Sequence, residues 1–332
     1  MTGEGDGNNM EENISFSHRP VLYKEVLEGL CIRPDGIYID GTVGGAGHSI
    51  GIVSALSDRG KLIALDQDET AVKIATERLS VFGDRARVVH SNFRQVGNVC
   101  RMLGVNRIDG MLLDLGVSSY QLDTADRGFS YQADAPLDMR MDQSNPLTAE
   151  DVVNTYPEEE LRRILFAYGE ERFSPKIAAA IVRARESAPI KTTGELAKII
   201  KSAIPSAARQ GGHHPAKRSF QAIRIEVNAE LEVIEPAIRQ AVELLDPGGR
   251  IAVITFHSLE DRLVKQTFTA LAAGCTCPKD FPVCVCGNRP QIKLITTKPI
   301  LPSSAELEEN PRSRSAKLRI AEKLTGEKRI GI

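Results

Sequence analysis

Asp40-Gly41-Thr42-Val43-Gly44-Gly45-Ala46-Gly47-His48 is the stretch that decides the fold. It follows the apolar run Ile37-Tyr38-Ile39 and leads into a stretch with helical periodicity over residues 48–57. Glycines let the backbone approach a ligand closely, and a helix N-terminus favours a negative group. The stretch therefore indicates a ligand site or, as the plainer alternative, a tight strand-to-helix turn without a ligand.

Short apolar runs and helical patterns continue to alternate after this turn. Further runs cover residues 61–65, 87–89 and 111–113, and helical patterns cover residues 70–81 and 94–103. This alternation predicts a parallel sheet with crossover helices. Ligands of such sheets bind at the carboxyl ends of the strands. The residues at those ends are Asp40, Asp66, Phe93 and Asp114.

The alternation stops at residues 145–205, which carry several helix start and stop signals and no strand candidate. Thr192 and Glu195 have the spacing of a capping box. One long helical region over 219–245 then leads through Asp246-Pro247-Gly248-Gly249 into a buried strand over 250–256, and Ser258-Leu259-Glu260-Asp261 caps the next helix. The distance from Asp114 to this strand far exceeds a simple crossover, so the helical block is an insertion.

The predicted fold is therefore an α/β sheet with an inserted all-helical subdomain. We expect a disordered acidic tail over 1–15, a discontinuous sheet domain over 16–122 and 219–332, and a helical substrate-recognition domain over 123–218.

Composition narrows the function classes. The 332 residues include 42 Lys and Arg and 44 Asp and Glu, so the net charge of −2 excludes a uniformly basic nucleic-acid coat. No apolar run reaches the ~18 residues of a membrane span, and the N-terminus lacks a basic-then-apolar leader. These features predict a cytoplasmic protein without a membrane partner.

The glycine-rich turn differs from a dinucleotide-binding fingerprint. With Gly45 and Gly47 as its first glycines, that fingerprint needs a glycine or alanine at position 50, which is Ile50. Asp66 at the next strand end can accept hydrogen bonds from ribose hydroxyls, or it can cap the helix that follows. Together with Asp40 and the glycines, it favours a nucleoside ligand without a pyrophosphate.

The stretch Leu244-Leu245-Asp246-Pro247-Gly248-Gly249-Arg250-Ile251-Ala252-Val253-Ile254 resembles the segment before strand five in class I S-adenosylmethionine (SAM) methyltransferases. A sulfonium cation needs carboxylates or carbonyls nearby rather than a phosphate cradle, and Asp40 and Asp114 can supply that field.

Longer strings make the resemblance specific. The chain resembles the bacterial RsmH/MraW family, the SAM-dependent methyltransferases that modify N4 of a decoding-centre cytosine in 16S rRNA. The matching strings are His18-Arg19-Pro20-Val21-Leu22, residues 40–48, Leu112-Leu113-Asp114-Leu115-Gly116-Val117-Ser118-Ser119, Arg127-Gly128-Phe129-Ser130, Pro136-Leu137-Asp138-Met139-Arg140-Met141-Asp142, Ser219-Phe220-Gln221-Ala222-Ile223-Arg224, Phe256-His257-Ser258-Leu259-Glu260-Asp261-Arg262 and Asn310-Pro311-Arg312-Ser313-Arg314-Ser315.

The resemblance implies a Rossmann-like SAM-binding sheet with an inserted helical domain, and 16S rRNA within the small ribosomal subunit as partner. It assigns the cofactor contacts residue by residue. Ala46, Gly47 and His48 line the methionine end of SAM, and Asp66 holds the ribose. Phe93 packs at the adenine, Asp114 lies beside the adenine or the reacting methyl, and Gln121 follows on its loop.

The catalytic proton acceptor stays open at this point. Related amino-methylating enzymes carry Asp/Asn-Pro-Pro-aromatic after strand four, whereas this chain has Asp114-Leu115-Gly116-Val117. The candidates are Asp114 and a nearby carbonyl. The plainer alternative for Asp114 is a strand-end cap.

RNA binding predicts local cations and aromatic rings near the cofactor cleft. Their alternative role is solvated surface charge, and His257 can also be an internally hydrogen-bonded loop histidine. The predicted substrate contacts are Arg127, Phe129, Asp138, Arg140, Lys217, Arg218 and His257.

Four cysteines are crowded into Cys275-Thr276-Cys277 and Cys284-Val285-Cys286. Four thiolates on a short loop can bind Zn²⁺ tetrahedrally, although the spacing differs from common zinc ribbons. Reduced thiols and a disulfide are the alternatives. Cys31 and Cys100 are expected in the core.

Other functions remain open from the residues alone. One is a SAM methyltransferase acting on another nucleic acid, a small molecule or a protein. Others are a nicotinamide-linked oxidoreductase and an RNA-binding module without activity. The sequence is compatible with a homodimer and does not fix the oligomeric state.

Overall fold

One sheet lies at the centre of the molecule. The computed structural model describes residues 20–210, 214–274, 277, 281, 283 and 285–325, so the predicted acidic tail lies outside it. The strands are β1 (Ile37–Asp40), β2 (Lys61–Asp66), β3 (Ala86–His90), β4 (Ile108–Asp114), β5 (Leu245–Thr255), β6 (Ile292–Leu294) and β7 (Lys317–Lys323).

The strand order is β3-β2-β1-β4-β5-β7-β6. Strands β1 to β5 pair in parallel, whereas β7 runs antiparallel to β5 and β6 antiparallel to β7. The predicted α/β sheet is confirmed. The chain order reverses between β1 and β4, and ligands of open α/β sheets bind at such a switch point.

Helices cover both faces because side chains of a strand alternate between faces. Tyr38 shares a hydrophobic cluster with the helices over 23–30, 47–54 and 69–79, and the neighbouring Ile39 shares one with the helices over 96–102, 234–244 and 258–272. These helices are α1 (Tyr23–Leu30), α2 (Gly47–Ser54), α3 (Glu69–Leu79), α4 (Val96–Met102), α11 (Ile234–Leu244) and α12 (Ser258–Ala272). No described helix has both the length and the apolar character that a membrane crossing requires.

A second hydrophobic core lies in the helical insertion between β4 and β5. Its members include Ile164, Ile181 and Ile200, all fully buried. Two capping boxes start its helices at Thr148 and Thr192, as the sequence signals for the second one predict. The insertion contains α6 (Ala149–Thr155), α7 (Glu158–Gly169), α8 (Ser174–Ser187), α9 (Thr193–Ala203) and α10 (Lys217–Asn228). Two short helices, α5 (Ser119–Asp123) and α13 (Ser304–Glu309), lie outside it.

The long helix expected over 219–245 is wrong. Ala229 adopts a left-handed conformation with φ 49°, which ends α10, and α11 starts anew at Ile234. Phe220 and Ile223 of α10 belong to the core of the insertion. α10 thus packs with the helical insertion, while the division of the chain at 218/219 stays a prediction.

Two smaller expectations also need correction. The strand predicted over 250–256 starts at Leu245, because Leu245 already pairs with Ile108 before an irregularity in the ladder. Cys31 is exposed rather than part of the core, since it occupies the left-handed C-cap of α1, whereas Cys100 is buried as expected.

Candidate active site

The glycine-rich turn is fastened to the end of β1 by Asp40. The Asp40 carboxylate accepts hydrogen bonds from the Ser49 hydroxyl at 2.7 Å and the Thr42 backbone N–H at 3.1 Å. Gly44 has φ 46° and Ala46 has φ 63°, so the turn uses two left-handed steps. Glycine adopts this region without strain, which explains its place at position 44. Ala46 is fully buried in the core and does not line the cavity described below.

Asp66 ends β2 beside this turn. Its two carboxylate oxygens accept backbone N–H groups from Gly44 and Asp68, both at 2.9 Å. The alternative role as a helix cap is wrong, because the N-cap of α3 is Asp68, which accepts the N–H of Thr70. Asp66 thus connects the glycine turn with the loop after β2.

Asp114 ends β4, the neighbour of β1. Its backbone N–H donates to the Thr42 hydroxyl at 2.6 Å, and its Oδ2 lies 3.6 Å from Nδ1 of His48. Its Oδ1 is buried and has no hydrogen-bond partner among the described residues. The next helix, α5, is capped by Ser118, so Asp114 is not a helix cap. A buried, unpartnered carboxylate oxygen requires a ligand or another explanation.

His48 is neutral in this arrangement. Its Nε2 lies 3.0 Å from the carbonyl oxygen of Val21, so Nε2 carries the proton and Nδ1 offers a lone pair to Asp114. Burial lowers the pKa of His48 to about 4. A neutral imidazole cannot compensate a charge on Asp114, so in the absence of ligand the carboxyl group favours its protonated form.

The three strand-end carboxyl groups all have raised pKa values. Burial raises the pKa of Asp40 and of Asp66 to about 6 each. Burial, together with the charges of Asp40 and Glu260, raises the pKa of Asp114 to about 8. These groups are costly to ionise as they stand, and a cation between them would relieve that cost.

A cavity of about 500 Å³ lies over these strand ends. It brings together most of the predicted contacts from both the sheet domain and the insertion. The predicted cofactor residues that line it are Gly47, His48, Asp66, Phe93, Asp114 and Gln121, and the predicted substrate residues that line it are Phe129, Lys217 and His257.

Gln121 reaches this cavity through a buried polar cluster. Its side-chain amide donates to Asp68 at 2.8 Å, and the same carboxylate oxygen lies 2.8 Å from a guanidinium nitrogen of Arg127. Arg127 also donates to the carbonyl oxygens of Arg140 and Met141. The cluster ties the loop after β2 to the first loop of the insertion.

Three predicted substrate residues are engaged within the protein. Arg127 is 5% exposed and paired with Asp68. Arg140 forms an ion pair with Asp138 at 2.7 Å and donates to two loop carbonyls. None of Arg127, Asp138 and Arg140 lines either cavity, and their role as substrate contacts stays a prediction.

A second cavity of about 700 Å³ lies between the insertion and the sheet. It shares Lys217, Gln221 and His257 with the first cavity, so the two are adjacent. Arg218 lines only the second one and donates to the backbone carbonyl of Glu170. The cationic side chains at its wall are Arg172, Arg209, Lys217, Arg218 and Lys317.

A charged network at the junction of the cavities escaped the sequence reasoning. Arg224 forms a two-pronged ion pair with Glu230, and Glu260 lies 3.1 Å from His257. The helix cap was assigned to Ser258, whereas the N-cap of α12 is His257 with Glu260 at the third position. Histidine is not among the usual capping residues, so the pattern gave no signal.

The C-terminal segment also contributes residues to the first cavity. Asn310, Arg312 and Ser315 line the first cavity, and Arg312 pairs with Asp123 at the end of α5. They belong to the string Asn310-Pro311-Arg312-Ser313-Arg314-Ser315, which carries the family resemblance. Arg312 is also part of a cationic cluster near the C-terminus that is a candidate RNA contact, whereas Asn310 and Ser315 have no predicted role.

The comparisons with known proteins agree with this geometry. The family model described as the MraW methylase family matches residues 15–324. This chain belongs to the MraW methylase family. The predicted membership is therefore confirmed over nearly the whole chain.

Two relatives show how close the match is. The chain is 57% identical over 311 residues to a ribosomal RNA small subunit methyltransferase H of Brevibacillus brevis, covering 94% of this chain and 99% of that protein. It is 56% identical over 311 residues to the protein of that name in Clostridioides difficile, covering 94% and 100%. An rRNA methylase structure from Streptococcus thermophilus has 12% identity and a TM-score of 0.40, covering 91% and 94%.

As a family member, the chain is a methyltransferase with S-adenosylmethionine as its methyl donor, and the predicted cofactor is confirmed. The residues fit this donor. Buried carboxyl groups without a nearby Lys or Arg partner among the described residues suit a sulfonium cation. The glycine turn next to them leaves room for the amino-acid end, and Phe93 offers an aromatic ring at the cavity wall.

The predicted zinc site cannot be built from the described residues. Cys275 and Cys284 lie outside them, and only Cys277 and Cys286 of the four are described. The zinc site therefore stays a prediction that metal analysis of the purified protein would test.

Proposed function

We propose that this methyltransferase acts on 16S rRNA of the small ribosomal subunit, and that its target atom is N4 of a decoding-centre cytosine. The proposal rests on the relatives' names, on the resemblance of the site strings, and on one observation in particular. Asp114, whose Oδ1 has no hydrogen-bond partner among the described residues, lines a cavity adjacent to a second cavity with several cationic side chains at its wall.

The adjacent cavities suit a polynucleotide better than a small molecule. A base reaches the strand ends only when it has left its stack. Lys217 lines both cavities and has no ion-pair partner among the described residues, so it can contact a phosphate beside the extruded base. Arg218 and Arg172 lie farther along the second cavity. Phosphates of the flanking nucleotides are their natural ligands.

Asp114 has the position to orient the amine. When bound, S-adenosylmethionine supplies an electrophilic methyl group on a sulfonium centre. The N4 lone pair of cytosine is conjugated into the ring, so the reaction depends on orientation, which can contribute ~7–11 kcal/mol. An ionised Asp114 would accept a hydrogen bond from the amine and hold its proton during transfer. His48, with its proton directed at Val21, presents only a lone pair to Asp114.

The test is the position of the transferred methyl group. Purified protein is incubated with labelled S-adenosylmethionine and three substrates: unmethylated small subunits, naked 16S rRNA and DNA. We expect N4-methylcytidine at one decoding-centre position, with assembled subunits as the better substrate. A methyl group on a ring carbon, on ribose or on another base would contradict the proposal.

The remaining predictions have direct checks. Sedimentation of the purified chain would show whether it is a monomer or a homodimer. Fractionation of cells would check the predicted cytoplasmic location.

A further inference from the structure

The N-terminus of α12 holds a histidine in a defined orientation. The backbone N–H of Glu260 lies 3.4 Å from Nδ1 of His257, and the Glu260 carboxylate accepts the backbone N–H groups of Phe256 and His257. With Nδ1 as the acceptor, the proton of a neutral ring lies on Nε2. The capping box thus fixes both the tautomer and the direction of the ring.

The Nε2 atom of His257 faces the Glu260 carboxylate but makes no hydrogen bond to it. It lies 3.1 Å from Oε1 of Glu260, yet it is buried without a hydrogen-bond partner among the described residues. The His257 side chain is 10% exposed and lines both cavities. A buried donor without a partner in the protein points to an acceptor on a ligand.

Glu260 is held as a carboxylate by its surroundings. Burial alone would raise its pKa, but His257, the Phe256 N–H and Arg224 together lower it. Arg224 is in turn fixed by two hydrogen bonds of 2.8 Å and 2.9 Å to Glu230. This network holds the ring of His257 beside the Glu260 carboxylate.

A metal ion is the competing interpretation, because Glu230, His257 and Glu260 have ligand atoms within 4.8 Å of one another. Two contacts argue against it. Both carboxylate oxygens of Glu230 are bonded to Arg224, which places a positive charge beside the site. A metal on Nε2 would also require the proton on Nδ1, where it would face the N–H of Glu260.

We propose that the Nε2–H of His257 donates a hydrogen bond to the ring acceptor edge, N3 or O2, of the target cytosine, with Glu260 as its positioning residue. This rests on the proposed function. His257 follows β5, and Asp114 ends β4, which pairs with β5 in register. A donor from His257 and an acceptor from Asp114 would match the acceptor and amine groups that cytosine carries side by side.

The test compares His257→Gln with His257→Leu on the full-length protein and unmethylated small subunits. Glutamine keeps an N–H near the position of Nε2, whereas leucine removes it. We expect His257→Leu to lower kcat/KM by tenfold to a hundredfold, on the order expected for one unmade buried hydrogen bond. His257→Gln should recover most of that loss, and the Kd of S-adenosylmethionine should stay unchanged in both.

Controls separate this role from a structural one. Thr269→Ala changes an exposed residue of the same helix and should keep wild-type kinetics, and the Tm of His257→Leu and His257→Gln should agree. Equal losses in the two variants, or wild-type kcat/KM in His257→Leu, would overturn the proposal. So would a stoichiometric divalent metal in the protein together with loss of activity on chelation.

The outcome is separable from that of the proposed function. If the wild-type protein leaves small subunits unmethylated, the proposed substrate is wrong. If it methylates N4 and the His257 variants behave alike, only the role of His257 is wrong.

Discussion

Two groups of buried or half-buried acids lie at or next to the same cavity, and they differ in whether an Arg lies beside them. Asp40, Asp66 and Asp114 end neighbouring strands and have raised pKa values. No described Lys or Arg is paired with them. Glu230 and Glu260 line the same cavity beside Arg224. Burial still raises the pKa of Glu230 although Arg224 pairs with it, whereas His257 and Arg224 lower the pKa of Glu260.

This difference indicates what each group is for. Glu230 and Glu260 have Arg224 beside them in the protein, so they need no ligand to balance their charge. Their role is to hold the cavity wall and the ring of His257 in place. Asp40, Asp66 and Asp114 have no cation beside them until a ligand binds, and the sulfonium centre of the methyl donor is such a cation. The predictions below test this division.

The largest effect is expected from breaking the compensated group. Arg224→Met leaves Glu230 and Glu260 without their cation in a site where the pair is 15% and 7% exposed. We expect a loss of about 3–5 kcal/mol in the free energy of unfolding. Denaturant unfolding measures it, and Arg224→Met/Glu230→Gln should recover part of the loss. A free energy of unfolding equal to that of the wild type in Arg224→Met would show that the network does not stabilise the fold.

Asp114→Asn tests the role of the uncompensated group in methyl transfer. The change removes the carboxylate charge of Asp114, which contacts the bound ligand and does not stabilise the ligand-free protein. We therefore expect kcat/KM to fall by ~10²–10³, as for other lost transition-state contacts. The Tm without ligand should not fall. Radiolabelled methyl transfer and a melting curve measure the two. Wild-type activity would remove Asp114 from the reaction.

The pH dependence of donor binding has a defined direction. Asp114 is neutral below its pKa of about 8, and binding a cation favours the ionised form, so the Kd of S-adenosylmethionine should fall as pH rises towards 8. The fall is at most about tenfold per unit and should end above that value. The groups facing Asp114 are Asp40, with its pKa near 6, the neutral His48 and the ionised Glu260.

The same shift acts on stability with the opposite sign. A raised pKa contributes stability that is full at low pH and lost as pH rises through about 8. Without ligand, the Tm of the wild type should therefore decline relative to Asp114→Asn between pH 6 and 9. Parallel curves for the two proteins would contradict the protonated form of Asp114.

Lys217→Gln should have the smallest effect, because it concerns only the RNA side. We expect a several-fold weaker RNA affinity and a salt slope reduced by ~0.7 if one phosphate contact is lost. Filter binding at several salt concentrations measures both, with exposed Lys73→Gln on α3 as the matched control. An unchanged slope would place the RNA elsewhere.

The sequence predicted where Asp40, Asp66 and Asp114 lie, but it did not predict the contacts that join Arg224, Glu230 and Glu260. Asp40, Asp66 and Asp114 were identified because each directly follows an apolar run, and parallel strands bring their carboxyl ends to one edge. Arg224, Glu230 and Glu260 lie on three different segments, α10, the turn after it and α12. Only the fold of the insertion against the sheet joins them, and no local pattern encodes that contact.

The substrate residues show the same limit. Arg127 and Arg140 are predicted RNA contacts because they are cationic and lie on the loop after the fourth strand. The fold uses their charges inside, against Asp68 and Asp138. Composition identifies a charge but not its partner, and burial of an arginine is decided by tertiary contacts.

The central claim is that strand-end carboxylates recognise the positive charge of the methyl donor. Calorimetry of S-adenosylmethionine and of its product S-adenosylhomocysteine, whose sulfur is uncharged, tests it most directly in wild type and Asp114→Asn at pH 8.5. We predict that the variant weakens the charged donor about tenfold more than the uncharged product. Equal weakening of both ligands, or of neither, would contradict the claim.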